Sequence, residues 1–421
     1  MSKHIVIVEA TTSGSGLEVV KSACETGLYV SFVSKDPQRY MKGEEESSIL
    51  KKVENLITAD SNSVSALKVT IKQLNELHTV DGIICLTDGH IETVSRVARD
   101  LSLNFMNPEA VSIARNKDQT RLVCEENRIP IPKFQIVDDV ETACEIAKKW
   151  GYPCIIKSSR GTGSAQVFLC RNQEELLSKF SIIHEKKELT SGLILLEEFV
   201  CGPLYSIEGI TYDGKTTFLG ITDRMMGALP HFVEIADSFP VQLEPNMFEK
   251  VKKVIGKLHE AIGVDYGMTH TEFILTENGP VIVEMNPRLG GGMIGPMISE
   301  SYDIDIYKQI INIAIGKAPI IPDNPIAGAS EYFIYSTREG VVSQIKGEEL
   351  AKKYPGVQKV VITAKSGDMI TSPTDFRGEI GYLWTVGSNA EMAAANCRSA
   401  AGAISVDFVV SNDIRVQEGT S

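Results

Sequence analysis

The residues best suited to chemistry cluster in the stretch Glu284-Met285-Asn286-Pro287-Arg288-Leu289-Gly290-Gly291-Gly292, with Glu272 upstream. The surrounding segment, THTEFILT-ENG-PVIVEMN, reads as a β-hairpin. A three-residue loop of Glu277, Asn278 and Gly279 sets Thr276 against Pro280, glycine supplying the left-handed position. That register puts Glu272 opposite Glu284 on one face, and Asn286, two residues on, shares that face. Like charges face to face are destabilising, so a compensating cation is expected. Oxygen ligands with an open side suit Mg²⁺ bridging substrate phosphates. Taken alone, the acids are two surface carboxylates on an amphipathic hairpin; their clustering with Asn286 and Arg288 favours the metal. Arg288 offers a donor fork matched to phosphate or carboxylate, although an ion pair is its plainer reading.

Other candidates are weaker singly. Lys157 ends the strand-like CIIK and precedes SSRGTGSA, a Gly/Ser turn whose N–H groups can cradle phosphate. No GxxxxGK[ST] is present, so this is not a Walker loop. Leu196-Glu197-Glu198-Phe199-Val200 ends an apolar strand in acids, where backbone groups can meet an adenine edge. SGSG (13–16) and Asp36 imitate a dinucleotide fingerprint, but Val19 stands at the third glycine position. Those glycines read instead as a tight strand–helix turn near a substrate.

The elements that must position these groups are legible from periodicity. HIVIVE (4–9), YVSFVS (29–34) and DGIICLTD (81–88) are strand-like and alternate with helical stretches at 63–77 and 91–101. Alternation of this kind implies a parallel, doubly wound α/β sheet over roughly the first 110 residues. Residues 109–127 read as one helix, ended by Pro130 and Pro132. A small unit follows: helix 141–149, strand 152–159, the glycine turn, strand 167–170 and strand 193–199. Longer strands occupy 204–286, with a helix at 246–262. Isoleucines at helical spacing cover 304–315, and the proline-rich 318–325 reads as a linker.

The chain has 421 residues, enough for two or three domains, and a formal charge of −13. That charge argues against nucleic acid or an anionic membrane as partner, so any anionic ligand needs a local cationic cluster. The eight cysteines show neither C-x-x-C nor zinc spacing and read as reduced thiols of a cytoplasmic protein. No signal peptide is visible, and no uncharged apolar run reaches about 18 residues.

In this order the features resemble the ATP-grasp superfamily of carboxylate–amine ligases, over nearly the whole chain. The resemblance implies a Rossmann-like pre-ATP-grasp domain (1–112), an ATP-grasp domain (113–317, lid roughly 130–200) and a C-terminal α/β domain (318–421). It implies that Lys117 and Lys157 contact ATP phosphates, Lys157 lying near the adenine as well, and that Ser164 belongs to the nucleotide site. Glu197, Glu198 and the backbone of Phe199 and Val200 would hold the adenine. Glu272, Glu284 and Asn286 would hold Mg²⁺ or Mn²⁺, and Arg288 would stabilise the phosphoryl group in flight. Leu204 departs from the pattern, since an acid that holds the ribose often follows the hinge Gly-Pro; Glu208 lies farther on.

Biotin-dependent carboxylases resemble the chain up to the arginine but continue with Gln-Val-Glu-His, where this sequence has Leu289-Gly290-Gly291-Gly292. Glycine backbone can close on a carboxylate. Pro230-His231-Phe232-Val233-Glu234 and His270 are similar to L-amino-acid ligases of the bacilysin and dapdiamide type, which make dipeptides. There Glu234 would receive a substrate amino group and His270 would orient a substrate or the metal acids; satisfied loop or core imidazoles are the plainer reading of the histidines. The implied partners are a small carboxylate and an amine, and homodimers are common in the family. Specificity is expected from loops around 225–240 and 289–297. The rival readings are a purine-biosynthesis ligase or carboxylase-like enzyme, and a non-catalytic nucleotide-binding protein.

Overall fold

The computed structural model describes residues 2–12, 15–41, 43–161, 166–185, 193–336, 338–371 and 378–409. The N-terminal strands Asn55–Thr58, Tyr29–Ser34, His4–Val8 and Val80–Ile84 lie side by side in that order, all parallel. The unbroken apolar run of His4–Val8 follows from its central place, covered on both faces. Helices Val64–Leu77 and Ile91–Asp100 are among its cover, the first capped by the Ser63 hydroxyl.

Residues 109–127 form two helices rather than one. Asn116 has extended torsions (φ −115°, ψ 103°) between Pro108–Arg115 and Lys117–Glu126. The Lys117 amide donates to Ser159 O at 3.0 Å, an acceptor outside the helix. The break makes Lys117 the first residue of a helix whose N-terminal end borders the site.

The small unit is an antiparallel sheet ordered Phe134–Val137, Ile194–Glu198, Cys154–Ser158, Val167–Cys170. The largest sheet has eight strands. Gly279–Asn286 is its edge, followed by Gly267–Thr276, Leu204–Tyr212, Lys215–Met226, Glu234–Val241, Gly328–Tyr335, Glu379–Gly387 and Val357–Ile362. Segment 318–325 is irregular as expected, yet the sheet runs across it, because Ala236–Phe239 pairs with Ala329–Tyr332. Strands of the C-terminal region thus continue the sheet that carries Glu272 and Glu284. Among the described residues no helix is long and apolar enough to cross a membrane.

Candidate active site

The hairpin carrying the acid pair differs from its sequence reading in a way that cancels. Its loop has two residues, with Thr276 opposite Gly279 and Leu275 opposite Pro280. Left uncorrected, that one-residue slip would set Glu272 against Val283. A bulge between Glu272 and Phe273 restores the register, so Glu272 faces Glu284 and His270 faces Asn286. The inserted Val283 lines the same cavity as Glu284, and its carbonyl accepts from Arg121 Nη2 at 2.8 Å.

Each acid has a cation. Lys117 Nζ lies 2.7 Å from Glu284 Oε1 and also donates to Gly161 O at 2.9 Å. Arg224 Nη1 lies 3.0 Å from Glu272 Oε1. Burial alone would raise the Glu272 carboxyl; Arg224 and His270 hold it well below the usual range. Arg224 Nε also binds Glu234 and lies 3.2 Å from Asp237. Glu234, expected to receive a substrate amine, is therefore engaged by Arg224. His270 Nδ1 lies 2.9 Å from Glu208, itself held by Ser206 and Thr222. Burial disfavours the charged ring, but Glu208 outweighs it and draws the His270 pKa up to about 9. Arg224 only donates, however, and its Nη1 is 2.6 Å from His270 Nε2. In this arrangement the ring carries its proton on Nδ1, and charging it requires Arg224 to move away.

Lys157 is the penultimate residue of a fully buried strand and pairs with Glu197 Oε2 at 2.7 Å, while Arg121 Nε donates to Glu197 Oε1 at 2.8 Å. Burial lowers the Lys157 pKa to about 8, with Glu197 pulling the other way. Burial likewise pushes Glu197 up, but Arg121 and Lys157 together keep it below the usual value. Both Glu197 oxygens thus face these cations. Glu198 binds Lys133, through its amide at 3.0 Å and its Nζ at 3.2 Å.

Arg288 donates to Asp88 through Nε (2.8 Å) and Nη2 (2.5 Å), and Arg115 reaches the same carboxylate at 2.9 Å. Burial would raise Asp88; Arg288 and Arg115 outweigh it and lower its pKa. The three glycines behind Arg288 differ. A Cβ on Gly290 would lie 2.5 Å from Ile294 Cδ1 and 2.9 Å from His270 Nδ1. Gly292 has φ +57°, and a Cβ there would lie 2.6 Å from Glu331 Oε2. Gly291 has open space around its Cβ position.

Asp88, Arg288 and Gly290 to Gly292 line one cavity of about 240 Å³, and two others meet at the acid pair. The larger, about 520 Å³, is lined by Lys117, Lys157, Glu197, Phe199, Val200 and Leu204. The smaller, about 250 Å³, is lined by Asn286, Arg288 and Gly291, among others. Glu272, Glu284 and Arg224 line both. Ser164, Ser13 and Gly14 lie outside the described residues. Among the described residues no three His, Cys, Asp or Glu side chains converge to hold a metal. Two carboxylates and an amide nevertheless fit a hard cation that completes its shell with phosphate oxygens and water.

Sequence reasoning missed Asp88, Arg121 and Arg224. Asp88 follows a strand of the parallel sheet, at the carboxyl end where such sheets bind ligands, and that position was the available signal. Arg224, inside a strand otherwise rich in apolar residues and threonine, was a second. Arg121 looked like one more polar residue on a helix, and nothing local marked it.

Residues 150–297 match the family model of the ATP-grasp domain, and 332–409 that of L-amino acid ligase C-terminal domain 2. The L-arginine-specific L-amino acid ligase of Bacillus subtilis is 25% identical, aligned over 78% of this chain and 80% of its own. The fold is similar to that of an L-amino acid ligase from Bacillus licheniformis (TM-score 0.80, 22% identity, 97% of this chain and 99% of that one). It is also similar to the biotin carboxylase domain of 2-oxoglutarate carboxylase from Hydrogenobacter thermophilus, solved with MgADP (TM-score 0.70, 22% identity, 97% and 92%). The matched domain and the fold are those of an ATP-grasp enzyme, a class that binds ATP with a divalent metal. The chain's two domain matches and the ligase of Bacillus subtilis indicate an L-amino acid ligase-like ATP-grasp enzyme, a ligase that forms C–N bonds.

Proposed function

We propose that the chain joins the carboxylate of an amino acid, or another small carboxylate, to the amine of a second amino acid, with cleavage of ATP to ADP and phosphate. The observation that carries this reading is the sharing of Glu272, Glu284 and Arg224 by the two cavities. A nucleotide in the larger one and a carboxylate in the smaller one would meet at the acid pair.

In the first step a carboxylate oxygen attacks the γ-phosphorus, the bond to the β-phosphate oxygen breaks, and ADP leaves with an acyl phosphate formed. In the second the amine nitrogen attacks the acyl carbon, phosphate leaves, and the nitrogen loses its proton. Glu272, Glu284 and Asn286 would hold Mg²⁺ or Mn²⁺, which when bound offsets charge on the phosphates. Lys117 and Lys157 face the same cavity and would bind phosphate oxygens, with Glu197, itself held by Arg121, keeping Lys157 in place. The backbone at Phe199 and Val200 would meet the adenine. Arg288 would stabilise the spread negative charge of the transferring group. Gly290 to Gly292 would bring N–H groups to the substrate carboxylate, and the lid would exclude water from the acyl phosphate. Glu234 reaches a substrate amine only by sharing its carboxylate with Arg224.

The test is a phosphate-release screen over pairs of amino acids with Mg²⁺ and ATP, with mass spectrometry of the products. A product weighing the two substrates less one water supports the reading. Nucleotide binding with no ADP release from any pair, or an ATPase that depends on bicarbonate, removes it.

A further inference from the structure

Among the described residues, one acid of the smaller cavity lacks a counter-ion. Of its acids, Asp88 is held by Arg288 and Arg115, Glu284 by Lys117, and Glu272 and Glu234 by Arg224. Glu379 alone has no cation, and no hydrogen-bond partner, among the described residues. It is partly buried on the Glu379–Gly387 strand, directly opposite Tyr335 in the ladder. Phe333, two residues before Tyr335, shares that face, and all three line the cavity. Glu331, on the same face, donates nothing to offset this charge. Burial pushes its carboxyl up to about 8, and Glu379 and Glu234 add to the effect.

An acid taken partly out of water beside aromatic walls, with other acids near and no cation, is stabilised by a cationic ligand. Burial alone raises the Glu379 pKa to about 7. Its cavity also contains Arg288 and the acid pair, where the reading above puts the substrate carboxylate. We propose that Glu379 selects the carboxylate substrate by its side chain, receiving an ammonium or guanidinium group with Phe333 and Tyr335 as walls. This rests on the ligase reading and narrows it to amino acids with a basic side chain. It also places a specificity residue on the C-terminal strands, beyond the loops around 225–240 and 289–297.

The test compares each cationic substrate with its neutral near-isostere, arginine with citrulline and lysine with norleucine. Each is the sole variable carboxylate, with ATP, Mg²⁺ and one fixed acceptor. At least one cationic member is expected to exceed its isostere tenfold or more in kcat/KM, and the matching pair identifies the guanidinium or the ammonium. Glu379→Gln is expected to bring that ratio to within about twofold. Because the readout is a ratio within one preparation, a general loss of activity does not mimic it. The wild-type ratio stands as a test even if the variant fails to fold. Ratios near one in the wild type overturn the inference, as does a preference that survives Glu379→Gln. An equal rise of KM for charged and neutral substrates in the variant assigns Glu379 to the α-amino group and also overturns it. Phosphate release that is blind to side-chain charge leaves the ligase reading standing; no release with any pair removes both.

Discussion

Asp88 grips Arg288 with both oxygens, across 200 positions of sequence, and so ties the parallel N-terminal sheet to the loop after the acid pair. A forked pair fixes the plane of the guanidinium as well as its position. Asp88→Asn removes the charge and one side of the fork. The expected result is a fall in kcat of about 10- to 100-fold, with the KM for ATP changed less, since misplacing a group by about 1 Å costs on that order. A defect confined to the KM for ATP would speak against a positioning role.

Lys157 should impose a pH limit on nucleotide binding. Burial brings its pKa down to about 8, so its charge is present below that pH and lost above it. The KM for ATP is expected to rise from about pH 8 upward, and to rise less in Lys157→Arg, because arginine stays charged. Stability runs the other way. Between about 8 and the unfolded value of about 10.4 the unfolded chain holds more protons, so this residue makes unfolding harder as pH rises. Urea titrations of both proteins at pH 8 and pH 10 measure the difference.

The glycine run can be dissected one residue at a time. At Gly292, alanine must take φ +57° and meets Glu331, so Gly292→Ala is expected to lose about 1–3 kcal/mol, visible as a lower Tm. Alanine at Gly291 meets no protein atom within 4 Å. Gly291→Ala should therefore melt like the wild type yet raise the KM of the carboxylate substrate. An unchanged KM would remove Gly291 from the carboxylate cradle.

Glu284→Ala is expected to abolish ADP formation while the fold persists. Lys117 keeps the Gly161 carbonyl as a partner, so the substitution does not leave it isolated. Circular dichroism checks the fold and coupled ADP detection the chemistry. Near-normal turnover would sink the metal assignment.

Arg121 is the largest fully buried side chain among the described residues, bridging Glu197 and the bulge carbonyl of Val283. Arg121→Met leaves Glu197 buried against Lys157 alone. A loss of about 3–5 kcal/mol is expected in chemical denaturation, as for other broken buried pairs. Little or no loss would show that Lys157 suffices to neutralise Glu197.

Local pattern determined a good part of this protein. Apolar runs such as His4–Val8 and the isoleucines of Ile306–Ala314 mark elements whose burial is set by nearest-neighbour periodicity. The order of Lys157, the acid-ended strand, Glu272, Glu284, Asn286 and Arg288 by itself marks the ATP-grasp resemblance. Tertiary structure alone decided how charges pair. Lys117 meets Glu284, Arg224 meets Glu272, Arg121 meets Glu197 and Asp88 meets Arg288, each across a long stretch of chain. A buried charge takes whichever counter-ion packing brings within reach, and spacing along the chain carries no record of it. The hairpin shows the same division. Its strands were legible, but the two-residue loop and the compensating bulge were not, because register is settled by the faces that must be buried. The acids ended opposite each other through two departures from the sequence reading that cancel.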